Sequence, residues 1–382
     1  MARGKNTDVS ESQRVPESAS GNLARKATAE PTHLEPRAGQ VAYRPQVDGQ
    51  SKVAGIFSRL MRALVWAITL SLVCIGLLRV FYHDGTLWLV CLNAFSRYIY
   101  LPAYACLAWA VWKRRWYLAT ANMLVVALHV ALIAPDFMRD SRFDSATSSV
   151  ATAPAAQQSI RIFFANVHAT STNYQGLLDE IAAANPDVVL LVEFSWSWRN
   201  ALLNSPFLKA YPYGDGIKHQ RLGTVNIFSR IPLIKNEQDW VAGRGLQKIE
   251  IPVGGKTLRI VGLHAPRPQR RQGDDYDGFW KGAIPKILSD PGPLVVVGDF
   301  NVTQYSSVYK QLTATRLRSA HEDRGRGYAN SWPNGQFWLP PLIRIDQALL
   351  SPDVECVDIR EGEGHGSDHM PLILDVKIRP AS

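Results

Sequence analysis

The chain has 382 residues, 46% of them hydrophobic, and a net charge of +9, a length that exceeds one ordinary domain and predicts two regions. From residue 158 onward there are 25 Lys+Arg against 23 Asp+Glu, a net of +2, so the basic excess belongs to the N-terminal part and the globular part lacks the footprint of a strong duplex-DNA binder. The four cysteines, Cys74, Cys91, Cys106 and Cys356, have neither disulfide-framework nor zinc-ligand spacing.

Residues 1 to about 55 are rich in Ser, Ala, Glu, Arg, Gln and Pro. They offer too little apolar surface to order themselves and are expected to form a disordered cytoplasmic tail. No apolar segment closely follows the first basic residues, so no secretory signal is expected. Residues 56–135 then carry three apolar runs, at about 63–80, 87–112 and 117–134. A bilayer core needs about 20 apolar residues in a helix, and three such runs with short connections predict a bundle of three transmembrane helices.

The middle run carries Asn93, Arg97 and Pro102. Arginine there needs a partner, water or the interface, and the run reads as a tilted or broken helix. Arg59 and Arg62 precede the first run, Lys113-Arg114-Arg115 joins the second to the third, and His83-Asp84-Gly85 has no Lys or Arg. The positive-inside rule puts the N-terminus in the cytoplasm and everything after about residue 135 outside, in an inner or plasma membrane. Residues 136–158 start with Asp136, Arg139, Asp140, Arg142 and Asp144 and turn rich in Ser, Ala and Thr, which reads as a linker.

The globular region covers 159–382. A strand is predicted at Ile160–Ala165, followed by Asn166, and a helix at Tyr174–Ala184 from the spacing of Leu177, Leu178 and Ile181. Val188–Val192 is a short buried strand followed by Glu193, and Gly223–Arg230 is another strand. Leu246–Val253 and Thr257–Leu263 form a hairpin around Gly254-Gly255 and lead to His264. A helix over Tyr276–Leu288 precedes a strand at Pro293–Val297, which leads to Gly298-Asp299-Phe300-Asn301. Ile343–Leu350 is a strand with Asp346 inside it, and Gly366-Ser367-Asp368-His369-Met370-Pro371 precedes the last strand. Strand after strand thus delivers Asn, Glu, His or Asp at its end, which points to one polar cluster over a sheet edge.

Asp299-Phe300-Asn301 after three valines and a glycine, Arg344-Ile345-Asp346, and the Ser367-Asp368-His369 segment resemble, in order, the motifs of the endonuclease/exonuclease/phosphatase superfamily. The resemblance covers about residues 159–378, and the N-terminal bundle resembles the membrane-anchored bacterial branch. It implies a four-layer α/β sandwich, two packed β-sheets flanked by helices, and a cofactor of Mg²⁺ or Mn²⁺. Glu193, Asp368 and Asn166 match the metal-site residues. Asn301 and Asn166 match groups on the phosphate, and His264 matches a catalytic histidine that contacts the phosphate or protonates the leaving group. Asp299 matches the acid that orients water or assists the leaving group. Asp346 matches the acid that holds His369, itself the general base or transition-state stabiliser.

Arg267, Arg270 and Arg271 read as a loop that grips a second phosphate or is merely solvated. Trp196-Ser197-Trp198 and Trp332–Trp338, with Phe337, read as bilayer-facing loops or core. His168, His219, His321 and His365 are unassigned. The expectation is a membrane-tethered metal-dependent phosphoesterase acting outside the cytoplasm, its partners the bilayer and a phosphorylated lipid or lipid-linked precursor, with no obligate protein partner. A tethered nuclease on DNA or RNA is the alternative. An inactive scaffold on the same fold is a third reading, disfavoured by the complete set from Asn166 to His369.

Overall fold

The computed structural model describes residues 48–138, 159–218, 223–269, 275–289, 291–335 and 338–380. The expected tail up to residue 47, most of the expected linker, and His219, Arg270, Arg271 and Phe337 lie outside the described residues. Five helices come first: α1 (Asp48–Tyr82), α2 (Leu87–Ala94), α3 (Ser96–Ile99), α4 (Pro102–Trp112) and α5 (Trp116–Phe137).

Among the described residues two helices, not the expected three, are long and apolar enough to cross a membrane: Val53–Tyr82 within α1, and α5. The middle run over 87–112 breaks into α2, α3 and α4 because its polar residues are bonded elsewhere. Asn93 donates its amide to His83 O at 2.9 Å and Asp84 Oδ1 at 2.7 Å. Ser96 Oγ donates to Asn93 O at 2.7 Å, and Pro102 opens α4. Leu87 and Val90 of α2 pack not into the bundle but into an apolar cluster of the globular region.

Side-chain packing gives the direction of each helix. Val65 of α1 meets Ala110 of α4 and Leu118 of α5, whereas Leu72 meets Ala103 and Val125. Moving up α1 therefore means moving down α4 and up α5, so α1 and α5 run parallel. Both end on the globular region. Arg79 donates to the backbone oxygen of Tyr305, and Asp136 accepts from Gln304 Nε2 at 3.1 Å. Asp136, expected to begin an exposed linker, is instead buried.

The globular region follows as β1 (Ile160–Asn166), α6 (Tyr174–Ala184), β2 (Val188–Val192), α7 (Trp196–Leu203), α8 (Phe207–Ala210), β3 (Val225–Ser229) and β4 (Lys235–Val241). It continues with β5 (Arg244–Val253), β6 (Lys256–His264), α9 (Tyr276–Leu288), β7 (Leu294–Asp299), α10 (Ser307–Thr313), β8 (Arg318–Ser319) and α11 (Ala320–Asp323), and closes with β9 (Asp346–Leu350), β10 (Val354–Glu361) and β11 (Leu372–Ile378). One sheet has the order β10-β11-β1-β2-β3 and the other β4-β5-β6-β7-β9-β8.

The aliphatic runs are uninterrupted because both faces of these strands are covered. In β2, Val188, Leu190 and Val192 face the cluster between the two sheets, while Val189 and Leu191 face the cluster under α6 and α7. On the far face of the second sheet, Phe279, Trp280 and Ala283 of α9 pack on Leu246, Leu263 and Val296. The result is the expected four-layer sandwich, helix–sheet–sheet–helix.

Candidate active site

Strand direction collects the polar residues. Strands β1 and β2 are parallel and end together at Asn166 and Val192, with Glu193 next. In the other sheet β6 and β7 are parallel and place His264 opposite Asp299. Asp346 is not inside its strand, as the sequence predicts, but at its start. Because β9 runs antiparallel to β7, that start lies opposite Asp299. Strand β11 runs antiparallel to β1 with Leu372 opposite Phe164, so the segment before it, Asp368-His369, returns to the same edge. Gly298 is required here: a Cβ would stand 2.1 Å from Leu263 O, preventing the approach of β6 and β7.

Asn166 joins the two sheets. Its amide nitrogen donates to Glu193 Oε1 and to Asp299 Oδ2, both at 3.2 Å. Its oxygen accepts from the His168 amide at 3.0 Å. His264 Nε2 lies 3.8 Å from Glu193 and 3.6 Å from Asp299, and Arg267, half exposed, lies 3.5 Å from Glu193. His369 Nδ1 bonds Asp346 Oδ2 at 2.8 Å and turns Nε2 toward Asp299, 3.8 Å away. Asn301 donates its side-chain amide to Ala265 O and its backbone amide to Asp299 Oδ1, both at 2.9 Å. Glu193 and Asn301 both have positive φ, 55° and 50°. Asparagine accepts that conformation readily; for a residue such as glutamate it costs about 1–2 kcal/mol.

Burial sets the electrostatics. It raises the Glu193 carboxyl, but His264, the Asn166 amide and Arg267 outweigh it, and the net direction is down, so Glu193 is ionised. Burial raises Asp299, and Asp346 beside it adds to this against the two histidines. Burial lowers His264 in spite of Asp299 and Glu193. Burial opposes charge on His369 too, yet Asp346 and Asp299 prevail and raise it to about 10. A cavity of about 260 Å³ opens beside these groups, touching His369, Asn301 and Arg267.

A sequence profile described as the Endonuclease/Exonuclease/phosphatase family matches residues 163–369, just over half the chain. The chain belongs to this family. Its members are metal-dependent phosphoesterases and nucleases, and this member is an enzyme of that hydrolase class acting on phosphate ester bonds. No curated protein matches the chain. Among solved structures it is similar to TDP2 from D. rerio complexed with a single-strand DNA product (18% identity, 58% of this chain and 99% of that one, TM-score 0.49). It is also similar to sphingomyelinase C from Streptomyces griseocarneus (19% identity, 57% and 99%, TM-score 0.40) and to a family protein from Bacteroides thetaiotaomicron (14% identity, 59% and 100%, TM-score 0.45).

Enzymes of the family use divalent metal ions, and the donors here suit one: carboxylates, with no thiolate among them. Asp299, Asp346 and His369 offer ligand atoms within 4.8 Å of one another. In His369, however, Nδ1 is committed to Asp346, so this trio is built to hold a proton. Glu193 is better placed for a cation, because its oxygens accept only long bonds, 3.2 Å from Asn166 and 3.4 Å from the Ala169 amide.

The sequence pattern gives no role to several residues that support the site. Trp332 Nε1 donates to Asp368 Oδ2 at 3.3 Å, and Asn334 N donates to Asp368 O at 2.8 Å. Ser367 Oγ donates to Asn166 O at 2.6 Å and accepts from His369 N at 3.1 Å. Arg344 of the family-like motif is buried, donating to Gly327 O and Gln347 Oε1 at 3.0 Å each, and so shapes the site from behind. Of the expected aromatic loops, Trp198 is core, Trp196 and Trp338 are exposed, and Trp332 lines the cavity.

Proposed function

We propose that the enzyme is a membrane-anchored Mg²⁺- or Mn²⁺-dependent phosphoesterase, active outside the cytoplasm on a phosphorylated lipid or lipid-linked precursor. The observation that carries this reading is the fusion of the apolar helices to the region bearing the site. Both α1 and α5 end on the segment that follows Asn301 in the chain, at Gln304 and Tyr305. These helices expose Leu60, Leu64, Leu70 and Leu77 on α1 and Met123, Leu124 and Val130 on α5. A surface that apolar belongs in hydrocarbon.

Lys113-Arg114-Arg115 directly follows α4, close to Ala110, which packs beside Val65 just after Arg59 and Arg62. All five basic residues therefore cluster at the bundle end remote from the globular region. The positive-inside rule supports a cytoplasmic remote end and an extracytoplasmic site. Exposed Trp112, Trp116 and Tyr117 suit one membrane interface, and exposed Tyr82, Trp88 and Tyr328 the other.

Glu193 and Asp368 would hold the ion, with Asn166 fixing Glu193 against Asp299 through its amide. When bound, the ion neutralises the phosphate and polarises its oxygens. His264 and Asn301 donate hydrogen bonds to phosphate oxygens without adding a trapping charge. Asp299 orients the attacking water. Asp346 fixes the His369 ring, and Nε2 is the atom that handles the proton.

The test is turnover by detergent-solubilised protein with Mg²⁺, offered a polyprenyl diphosphate, a set of phospholipids and plasmid DNA side by side, with Glu193→Ala and His369→Ala as controls. Lipid turnover lost in both variants is expected. DNA nicking lost in both would make the protein a tethered nuclease, and parent and variants equally inert would make it a scaffold.

A further inference from the structure

One wall of the 260 Å³ cavity lies outside the phosphoesterase sandwich. Val90, Cys91, Ala94 and Phe95 come from α2 and the break after it, the stretch that the sequence alone assigns to the bilayer. Ile343 and Val302 from the catalytic region also line it, and it reaches Asn301 and His369. We propose that this cavity is a slot for the first part of a hydrocarbon chain whose phosphate lies against Asn301 and His369, so that lipid enters the site along α2. This rests on the phosphoesterase reading above and names how its substrate is held.

Three observations carry it. The wall formed by Val90, Ala94 and Phe95 is aliphatic and aromatic, and the polar side chains of the lining (Arg267, Gln269, Thr303, Asn301 and His369) all lie on the catalytic-domain side of the cavity, where a phosphate would be held. The volume falls below the roughly 300–1,000 Å³ of pockets that enclose a whole ligand, which suits a chain segment whose remainder stays in the membrane. And α2 lies in the chain between the apolar α1 and α4, with Trp88 on α2 and Leu101 just before α4 both exposed. Arg267 at the opening, half exposed, offers a guanidinium to a lipid phosphate.

Cys91 is a reporter in the wall. It and Cys74 are exposed, whereas Cys106 and Cys356 are buried. In Cys74→Ser protein held in digitonin, decyl phosphate is expected to slow alkylation of Cys91 by N-ethylmaleimide, and ethyl phosphate to leave the rate unchanged. Equal rates with both overturn the slot, whatever the activity.

The second arm uses p-nitrophenyl alkyl phosphates, ethyl to decyl, with Mg²⁺. A fully buried methylene is worth up to about fourfold in binding, so kcat/KM should climb at least about tenfold along the series, chiefly through KM. Ala94→Trp, which fills the slot, should flatten that climb. Hydrolysis with no chain-length dependence sinks the slot and leaves the phosphoesterase standing. No hydrolysis of any ester, with Cys91 still shielded by decyl phosphate, does the reverse.

Discussion

Two buried polar clusters lie near each other in this molecule and are built on opposite plans. At the candidate catalytic edge, four acids (Glu193, Asp299, Asp346 and Asp368) stand with two histidines and one half-exposed arginine. Two of its buried atoms, His264 Nδ1 and Asp346 Oδ1, have no hydrogen-bond partner. At the seam between helices and sandwich, Asp84 and Asp136 are matched by Arg79 and Arg97. Arg97 reaches Asp136 at 2.9 Å, Tyr328 O at 2.8 Å and Asn330 Oδ1 at 3.2 Å, and Asp136 also accepts from Tyr305 and Gln304. Asp84 accepts from Asn93 and from the Ser307 amide. A charge-balanced cluster holds two parts together, whereas an acid-rich one with open valences is stabilised by what it binds.

The comparison breaks first at His369. His369→Ala is expected to lower kcat by about 10²–10⁴-fold, and Asp346→Asn, which removes the negative charge and the control of the ring's tautomer, to fall in the same range. Circular dichroism and elution volume should match the parent. A variant that keeps kcat on a soluble phosphate diester would remove His369 from the chemistry.

At the seam the expected loss is of stability. Asp136→Ala removes the acceptor shared by Arg97, Tyr305 and Gln304, whose bonds to a charged group are worth about 1.5–3 kcal/mol each, and should show as a lower thermal midpoint in detergent while kcat on the same diester stays near the parent's. If kcat collapsed with the midpoint, edge and seam would be one unit and the contrast would fail.

The catalytic edge was far more legible in the sequence than the seam. Glu193, His264 and Asp299 each terminate an aliphatic run buried on both faces, and such runs stand out. The strand at Asp346 starts three residues later than the pattern suggests, because the apolar Ile343 and Ile345 before it pass for strand although both line the cavity. Strand β4 gave no signal, since Lys235, Glu237 and Asp239 give its exposed edge no apolar face. The seam was hidden for a physical reason. Leu87 and Val90 are as apolar as any membrane residue, and only their packing in the globular cluster and the bonds of Arg97 and Tyr98 to Tyr328, Asn330 and Leu342 reveal that α2 and α3 lie against the sandwich.

A second buried histidine–acid pair sharpens the contrast further. His321 Nε2 bonds Glu361 Oε1 at 2.8 Å, the same separation as His369 and Asp346. Yet burial first, and then Arg344, lower His321 to about 4, while a second acid raises His369. His321 is therefore neutral and donates to Glu361. Its folded value is depressed, so the unfolded chain binds the extra proton between about pH 6.5 and 4. The stability it contributes is complete above pH 6.5 and is lost as pH falls toward 4, by at most about 3 kcal/mol. Chemical denaturation across that window should show the loss in the parent and a flatter curve in His321→Gln.

The smallest expected effect tests whether the edge depends on its own fastening. Ser367 Oγ links the end of β1 to the backbone of His369. Ser367→Ala leaves a buried carbonyl and a buried amide unpaired, which costs about 1–3 kcal/mol. Because those groups position Asn166 and His369 rather than contact substrate, the loss should appear in kcat more than in KM, and Ser367→Thr should restore part of it. An equal loss of stability with kcat untouched would mean that the His369 ring is held by Asp346 alone, and that the catalytic edge, like the seam, keeps its geometry through its ion pairs.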